Sequence, residues 1–247
     1  MATMVLERKS RRQGVYAEVL EEILRADGID AEVRNGATEF EMIDRGEKNF
    51  QEFERKFSPD VVVIQYGMAE AQPPFLPQPI YDHYMRWDTG FSRPALFYRS
   101  KIAARMWPWM RKYQRAAARL TETRFWRMNP RKFEGHLRRL IYLARYDYRL
   151  ILVIDLNPPG GRIIYNLPGM PARRDRYQKI VLDAVADQND PDIRMIMGSD
   201  LAEEFGIDTV MPDGYHWTPS AHRRIAEMLM AEIVPWAKTN LWETDAD

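Results

Sequence analysis

Apolar residues recur along this chain with two different spacings. At helical spacing, Val15/Tyr16, Val19/Leu20 and Ile23/Leu24 make one stripe, which predicts a helix over 15–27 that stops at Asp27-Gly28. Phe50, Phe53 and Phe57 repeat on one face of a second helix predicted over 46–57. Phe133, Leu137, Leu140, Ile141 and Ala144 do the same over 131–147, and an amphipathic pattern continues over 173–188. Short runs rich in β-branched and aliphatic residues alternate with these helices. Ala31–Arg34 reads as a short extended segment before the turn pair Asn35-Gly36. Asp60–Gln65 and Leu150–Asp155 read as buried strands, and Ile193–Met197 as a last short one.

Strand and helix in alternation predict a parallel sheet with helices on both faces, since right-handed crossovers return each strand beside an earlier one. In such a sheet the loops at the carboxyl ends of the strands form the site. Gly67, Asn157 and the region before Asp213 all fall on that edge.

Residues 71–130 break this rhythm. Pro73, Pro74, Pro77 and Pro79 make an irregular entry, and an aromatic, basic stretch follows with Trp87, Phe91, Phe97, Tyr98, Trp107, Trp109, Tyr113, Phe125 and Trp126. A helix over 100–120 is expected, interrupted near Pro108. The chain is thus expected to be one domain, 1–247, with a basic aromatic helical insertion at about 71–148. Aromatic residues at helical spacing are more often core than ligand platform, so a helical cap over the sheet edge is the plainer expectation for it.

Charge changes the picture only locally. Net charge is zero, yet residues 93–149 hold 16 Lys and Arg against Glu122, Glu134 and Asp147, a net +13, which leaves −13 on the rest. A basic segment neutralised by an acidic body accounts for this more simply than an anionic partner. No cysteine is present, which excludes disulfides, thiolate metal sites and a cysteine nucleophile. The four histidines (His83, His136, His216 and His222) show no metal-ligand pairing, and no metal or organic cofactor is implied. Apolar runs are far too short to span a membrane, and the first residues lack an apolar core of signal-peptide length, so a cytoplasmic location is the expectation.

The chemistry concentrates in Asp213-Gly214-Tyr215-His216, directly ahead of a helix that Thr218 can cap and Pro219 can begin. A tight turn can hold the Asp213 carboxylate against one ring nitrogen of His216 and leave the other free as a base. His222 and His83 read as structural or solvated.

This D-x-x-H pattern before a carboxyl-terminal helix, at the end of a parallel α/β chain, resembles the SGNH (GDSL-type) hydrolases. The run VVVIQYGMAEA resembles that family's third block, Val15–Leu20 its first helix, and Ala31–Gly36 its second strand and turn. The likeness covers roughly 15–70 and 149–236. It implies a flavodoxin-like three-layer α/β/α sandwich with a parallel sheet, and cleavage of an ester or acetyl group by a Ser-His-Asp triad. A serine attacks the carbonyl, His216 takes its proton, Asp213 orients His216, and hydrogen-bond donors hold the oxyanion.

Several blocks depart from the family pattern. No Gly-Asp-Ser occurs. The third block reads Gly67-Met68-Ala69-Glu70, with Ala69 where the oxyanion asparagine usually stands. Phe40 occupies the place of the second block's donor glycine, for which Gly36 is a poor substitute. The remaining oxyanion or binding candidates are Gly36, Gly67 and Glu70. The first strand of such a sheet is central, so its slot must be filled. Either Ala2–Glu7 fills it, and Ser10 stands in Arg8-Lys9-Ser10 where Gly-Asp-Ser should be, or the natural chain begins further upstream. The short distance from Ser10 to the first helix favours the upstream start. A catalytically inactive binding protein and an acyltransferase on the same fold are the alternatives to a hydrolase. The partner expected is a small-molecule, carbohydrate or lipid ester, anionic if the arginines of the insertion reach it. Nucleic acid is not expected, because no recognition motif accompanies the charge, and a membrane surface ranks below the ester.

Overall fold

A strand of five aliphatic residues, Leu150–Ile154, is buried along its whole length in the computed structural model. It can be so apolar because it pairs on both edges and is covered on both faces. The structure describes residues 15–37, 41–73, 126–145 and 149–242, the backbone of 3–4, and single positions between 101 and 119. Ser10, Phe40, His83, the prolines at 74, 77 and 79 and most of the aromatic stretch lie outside the described residues.

In chain order, the elements are β1 (Thr3–Met4), α1 (Tyr16–Ala26), β2 (Glu32–Val33), α2 (Ile43–Phe57), β3 (Val61–Ile64) and the short α3 (Met68–Ala71). Then come α4 (Pro130–Ala144), β4 (Leu150–Ile154), α5 (Gly161–Asn166), α6 (Met170–Ala186) and β5 (Ile193–Ile196). Two short helices, α7 (Asp200–Phe205) and α8 (Ile207–Val210), precede the long α9 (Pro219–Ala237).

All pairings are parallel. β3 runs beside β4 with Val61 opposite Leu150, and β4 beside β5 with Ile151 opposite Ile193. β1 pairs β2 with Thr3 opposite Glu32, and also lies beside β3. Two hydrogen-bonded ladders result, β1-β2 and β3-β4-β5, with β1 lying beside β3. Thr3–Met4, within the Ala2–Glu7 segment, forms the strand beside β2.

Alternate residues of β4 face opposite cores, as the two-residue period of a strand requires. Leu150, Leu152 and Ile154 meet α1 and α9 through Leu20, Leu24, Ile225, Leu229 and Ile233. Ile151 and Val153 meet α2, α4 and α6 through Ile43, Phe133, Leu137, Ile141, Tyr177 and Val181. The result is a three-layer α/β/α sandwich with a parallel sheet.

Some boundaries differ from expectation. α2 starts at Ile43 and α6 at Met170, and a helical turn, α5, sits inside the Gly/Pro-rich loop after β4. Within the segment expected to be an insertion, α4 is a core helix, with Phe133, Leu137, Leu140, Ile141 and Ala144 buried. Four basic residues on and after it pair with acids of the body. Arg138 pairs with Asp187, Arg139 with Glu47, Arg145 with Asp190, and Arg149, just beyond the helix, with Glu54.

Candidate active site

The Asp213 turn is built by its own side chain. Asp213 Oδ1 accepts the backbone N–H groups of Tyr215 (2.9 Å) and His216 (2.7 Å), which closes an Asx-type turn. Oδ2 faces His216 Nδ1 at 2.6 Å. An ionised carboxylate can only accept, so Nδ1 carries the proton and Nε2 is left as the basic nitrogen. Partial burial works against the charge on Asp213, but the two amide donors and the imidazole outweigh it and hold the carboxyl below its ordinary range.

Neighbouring elements fix this turn from both sides. Thr218 caps α9 by accepting the Ala221 N–H, and its own N–H donates to the Val210 carbonyl at 2.8 Å. On the other side, the Gly160 N–H donates to the Gly214 carbonyl at 3.1 Å. The pair remains open to solvent, with the side chains of His216 and Asp213 57% and 44% exposed.

A cavity of about 820 Å³ lies at this carboxyl edge. His216, Tyr215, Gly36, Gly67, Glu70 and Asn157 are among its lining residues. His216, Gly36, Gly67 and Glu70, candidates from three separate parts of the sequence, thus share one cavity, and Asp213 reaches it through His216. Ser10 lies outside the described residues. Phe50 and Phe53, on one face of α2, also line this cavity, Phe50 packs against the core as well, and Phe57 stacks on Phe53 with ring centroids 6.2 Å apart.

Gly67 and Glu70 act on one another. Gly67 stands at φ +125°, a region that residues with a Cβ rarely adopt, and an added Cβ would approach the Leu156 methyls to 2.9 Å. Its N–H donates to Glu70 Oε2 at 2.9 Å, while Glu70 Oε1 accepts the Ile43 N–H at 2.7 Å. Both carboxylate oxygens are therefore engaged by backbone, and the Gly67 amide is not free for a ligand. Burial raises the Glu70 pKa against the lowering effect of these N–H donors. Glu70 ties the β3 loop to the start of α2, and Ala69 brings only a methyl group to the place beside it.

Asn157 is legible in the sequence by its position, but the bracket beside it is not. Asp155 Oδ1 accepts the Ser199 N–H at 2.9 Å, and its Oδ2 accepts from the Ser199 hydroxyl at 2.5 Å and from Gln178 Nε2 at 2.9 Å. Gln178 Oε1 accepts the Leu156 N–H at 2.8 Å, and the Arg174 guanidinium donates to the Leu156 carbonyl. These residues come from β4, α6 and the loop after β5, so no local pattern announces them. His222 is likewise structural in its contacts, accepting the Tyr16 N–H at Nδ1 (3.3 Å). Among the described residues no group of three metal-ligating side chains gathers, and no helix is long and apolar enough to cross a membrane.

Comparison with solved structures identifies the architecture. No protein-family model matches the sequence, and no curated protein matches it. Solved structures do. A lipase/acylhydrolase from Enterococcus faecalis superposes with a TM-score of 0.61 at 13% identity, over 94% of this chain and 95% of the other. An acetyl xylan esterase, AlAXEase, gives 0.59 at 14% identity over 95% and 100% of the two chains. TesA gives 0.56 at 15% identity over 95% and 98%. The fold is that of the SGNH-type hydrolases.

Proposed function

We propose that this protein is a serine esterase or acyl hydrolase, with Ser10 as nucleophile, His216 as general base and acid, and Asp213 as the group that orients His216. The observation that carries this reading is the Asp213–His216 pair, which frees one imidazole nitrogen at a large cavity on the carboxyl edge of the sheet. The fold shared with acylhydrolases and esterases supports the same chemistry.

Ser10 is named because it is the serine standing where the family's Gly-Asp-Ser turn should be.

In the proposed reaction the Ser10 hydroxyl oxygen attacks the ester carbonyl carbon while its proton passes to His216 Nε2. Collapse of the tetrahedral intermediate breaks the bond to the alcohol, which leaves with that proton. Water, deprotonated by the same nitrogen, then attacks the acyl-enzyme, and the carboxylic acid departs as the serine is re-protonated. Asp213 stabilises the imidazolium in both halves. A small-molecule, carbohydrate or lipid ester is the substrate class this chemistry serves.

Covalent labelling by a fluorophosphonate probe, together with hydrolysis of p-nitrophenyl acetate, tests the reading. Wild-type protein should label and turn over, and Ser10→Ala and His216→Ala should do neither. Wild-type protein that neither labels nor hydrolyses would leave a non-catalytic binding module on the same fold.

A further inference from the structure

Aromatic residues at helical spacing usually fill a core, but Trp109 and Tyr113 face solvent. Trp109 is 67% and Tyr113 59% exposed, and their rings stack with centroids 6.2 Å apart. Both positions are helical, as are those of Arg105, Lys112, Ala116 and Arg119. Arg105, Trp109, Lys112, Ala116 and Arg119 follow one another at intervals of four, three, four and three residues, the spacing that keeps side chains on one face of a helix. Tyr113 lies four residues after Trp109, and all six residues are exposed.

The charge of this face is not answered by the body. Residues 101–120 hold six Lys and Arg and no Asp or Glu. Arg138, Arg139, Arg145 and Arg149 each meet an acid, whereas Arg105, Lys112 and Arg119 form no ion pair among the described residues. Arg115, half-buried, lies over the Tyr165 ring at 4.9 Å and so ties this segment to α5. There Arg162, Ile164 and Tyr165 are exposed as well, and none of the residues of α5 is buried. The Gly160 N–H at the start of α5 donates to Gly214 in the turn that carries His216. The cationic, aromatic face is thus joined through α5 to the imidazole turn.

We propose that this face docks the protein on an anionic lipid surface. Trp and Tyr rings settle in the headgroup layer, which suits an apolar ring with a polar tip. Lys and Arg beside them meet the negative headgroups. An interfacial helix combines these two kinds of side chain, and Trp109 and Tyr113 stand among Arg105, Lys112 and Arg119 in that way. A nucleic-acid strand is held differently, in a basic groove whose rings stand clear for bases to stack on. An exposed helix face is convex, and the Trp109 and Tyr113 rings cover one another. Docking needs no catalysis, so it stands or falls apart from the esterase reading.

The test is co-sedimentation of the full chain with vesicles of phosphatidylcholine alone and of phosphatidylcholine mixed with phosphatidylglycerol. The protein should pellet with the mixed vesicles and stay in solution with the neutral ones. Salt raised from roughly 0.05 to 0.5 M should release it, because the Debye length shortens. Each cation near such a surface is worth about fivefold in binding, so Arg105→Glu combined with Lys112→Glu should weaken binding by roughly 25-fold or more. Trp109→Ala combined with Tyr113→Ala keeps every charge and should weaken it too. All four positions are exposed, so both variants should melt with the wild type, and either one carries the test if the other does not fold. Wild-type protein that does not pellet with the mixed vesicles, or pellets equally with the neutral ones, would overturn the proposal. So would unchanged binding in a folded variant, or tighter binding to a single-stranded oligonucleotide than to the mixed vesicles.

Discussion

Gly160 and Gly214 meet backbone to backbone. The Gly160 N–H donates to the Gly214 carbonyl at 3.1 Å, and a Cβ on Gly160 would stand 2.5 Å from Gly214 Cα, closer than any side chain tolerates. The imidazole turn therefore rests on the loop after β4 with no side chain between them. Gly160→Ala should push the Asp213–His216 turn outward. A displacement near 1 Å is enough to cost on the order of 10²-fold in rate. The measurement is kcat on p-nitrophenyl acetate beside a thermal melt, with the rate expected to fall out of proportion to the change in Tm.

Asp213→Asn separates orientation from folding. The amide can still accept the Tyr215 and His216 N–H groups through its oxygen, but presents an NH2 to His216 Nδ1. Nδ1 must then accept, the proton moves to Nε2, and the base is lost. Activity should drop by about 10⁴-fold. Because both side chains are largely exposed, the stability change should stay within about 1 kcal/mol in urea unfolding.

What the sequence made legible follows from where each partner lies. β4 is readable because burial on both faces demands an unbroken aliphatic run, and Leu150–Ile154 supplies one. The Asp213–His216 pair is readable because both partners sit within one turn. Helix α5 is hidden because none of its residues is buried, so no apolar stripe marks it. The Phe50/Phe53 face shows a helix but not that it borders a cavity, since an apolar wall and an apolar core use the same residues. The Glu70 and Asp155 brackets are invisible for a different reason. Their partners are Ile43, Gln178 and Ser199, each brought in by the fold from 23 to 44 residues away.

Glu70→Gln should be costly although it changes one atom. Each carboxylate oxygen accepts a backbone N–H, from Gly67 and from Ile43. Glutamine offers one oxygen and sets an N–H donor against the other backbone N–H. One buried donor loses its partner and faces another donor, a loss of about 1–3 kcal/mol. Chemical denaturation should show the shift in midpoint without a change in slope. The β3 loop that brings Gly67 to the cavity should loosen with it, so activity should fall too.

His222 should write a pH dependence into stability. Burial, with the nearby His216 adding to it, lowers its pKa from 6.5 to about 4, and its Nδ1 accepts the Tyr16 N–H, which requires the neutral ring. The unfolded chain protonates this histidine near pH 6.5, whereas the folded chain does so only near pH 4. Between those values the unfolded state binds more protons, so acidification favours it. The contribution is constant above about pH 6.5, declines as pH falls toward 4, and levels off below. The ring is only partly buried, so solvent screening keeps the slope below that of a fully enclosed group. His222→Gln keeps an acceptor for the Tyr16 N–H and removes the titration. Urea unfolding at pH 7, 6, 5 and 4.5 should show wild-type stability falling more steeply than that of the variant across this window. Parallel curves for the two proteins would mean that His222 titrates alike in the folded and unfolded states, and that Tyr16 does not hold it neutral.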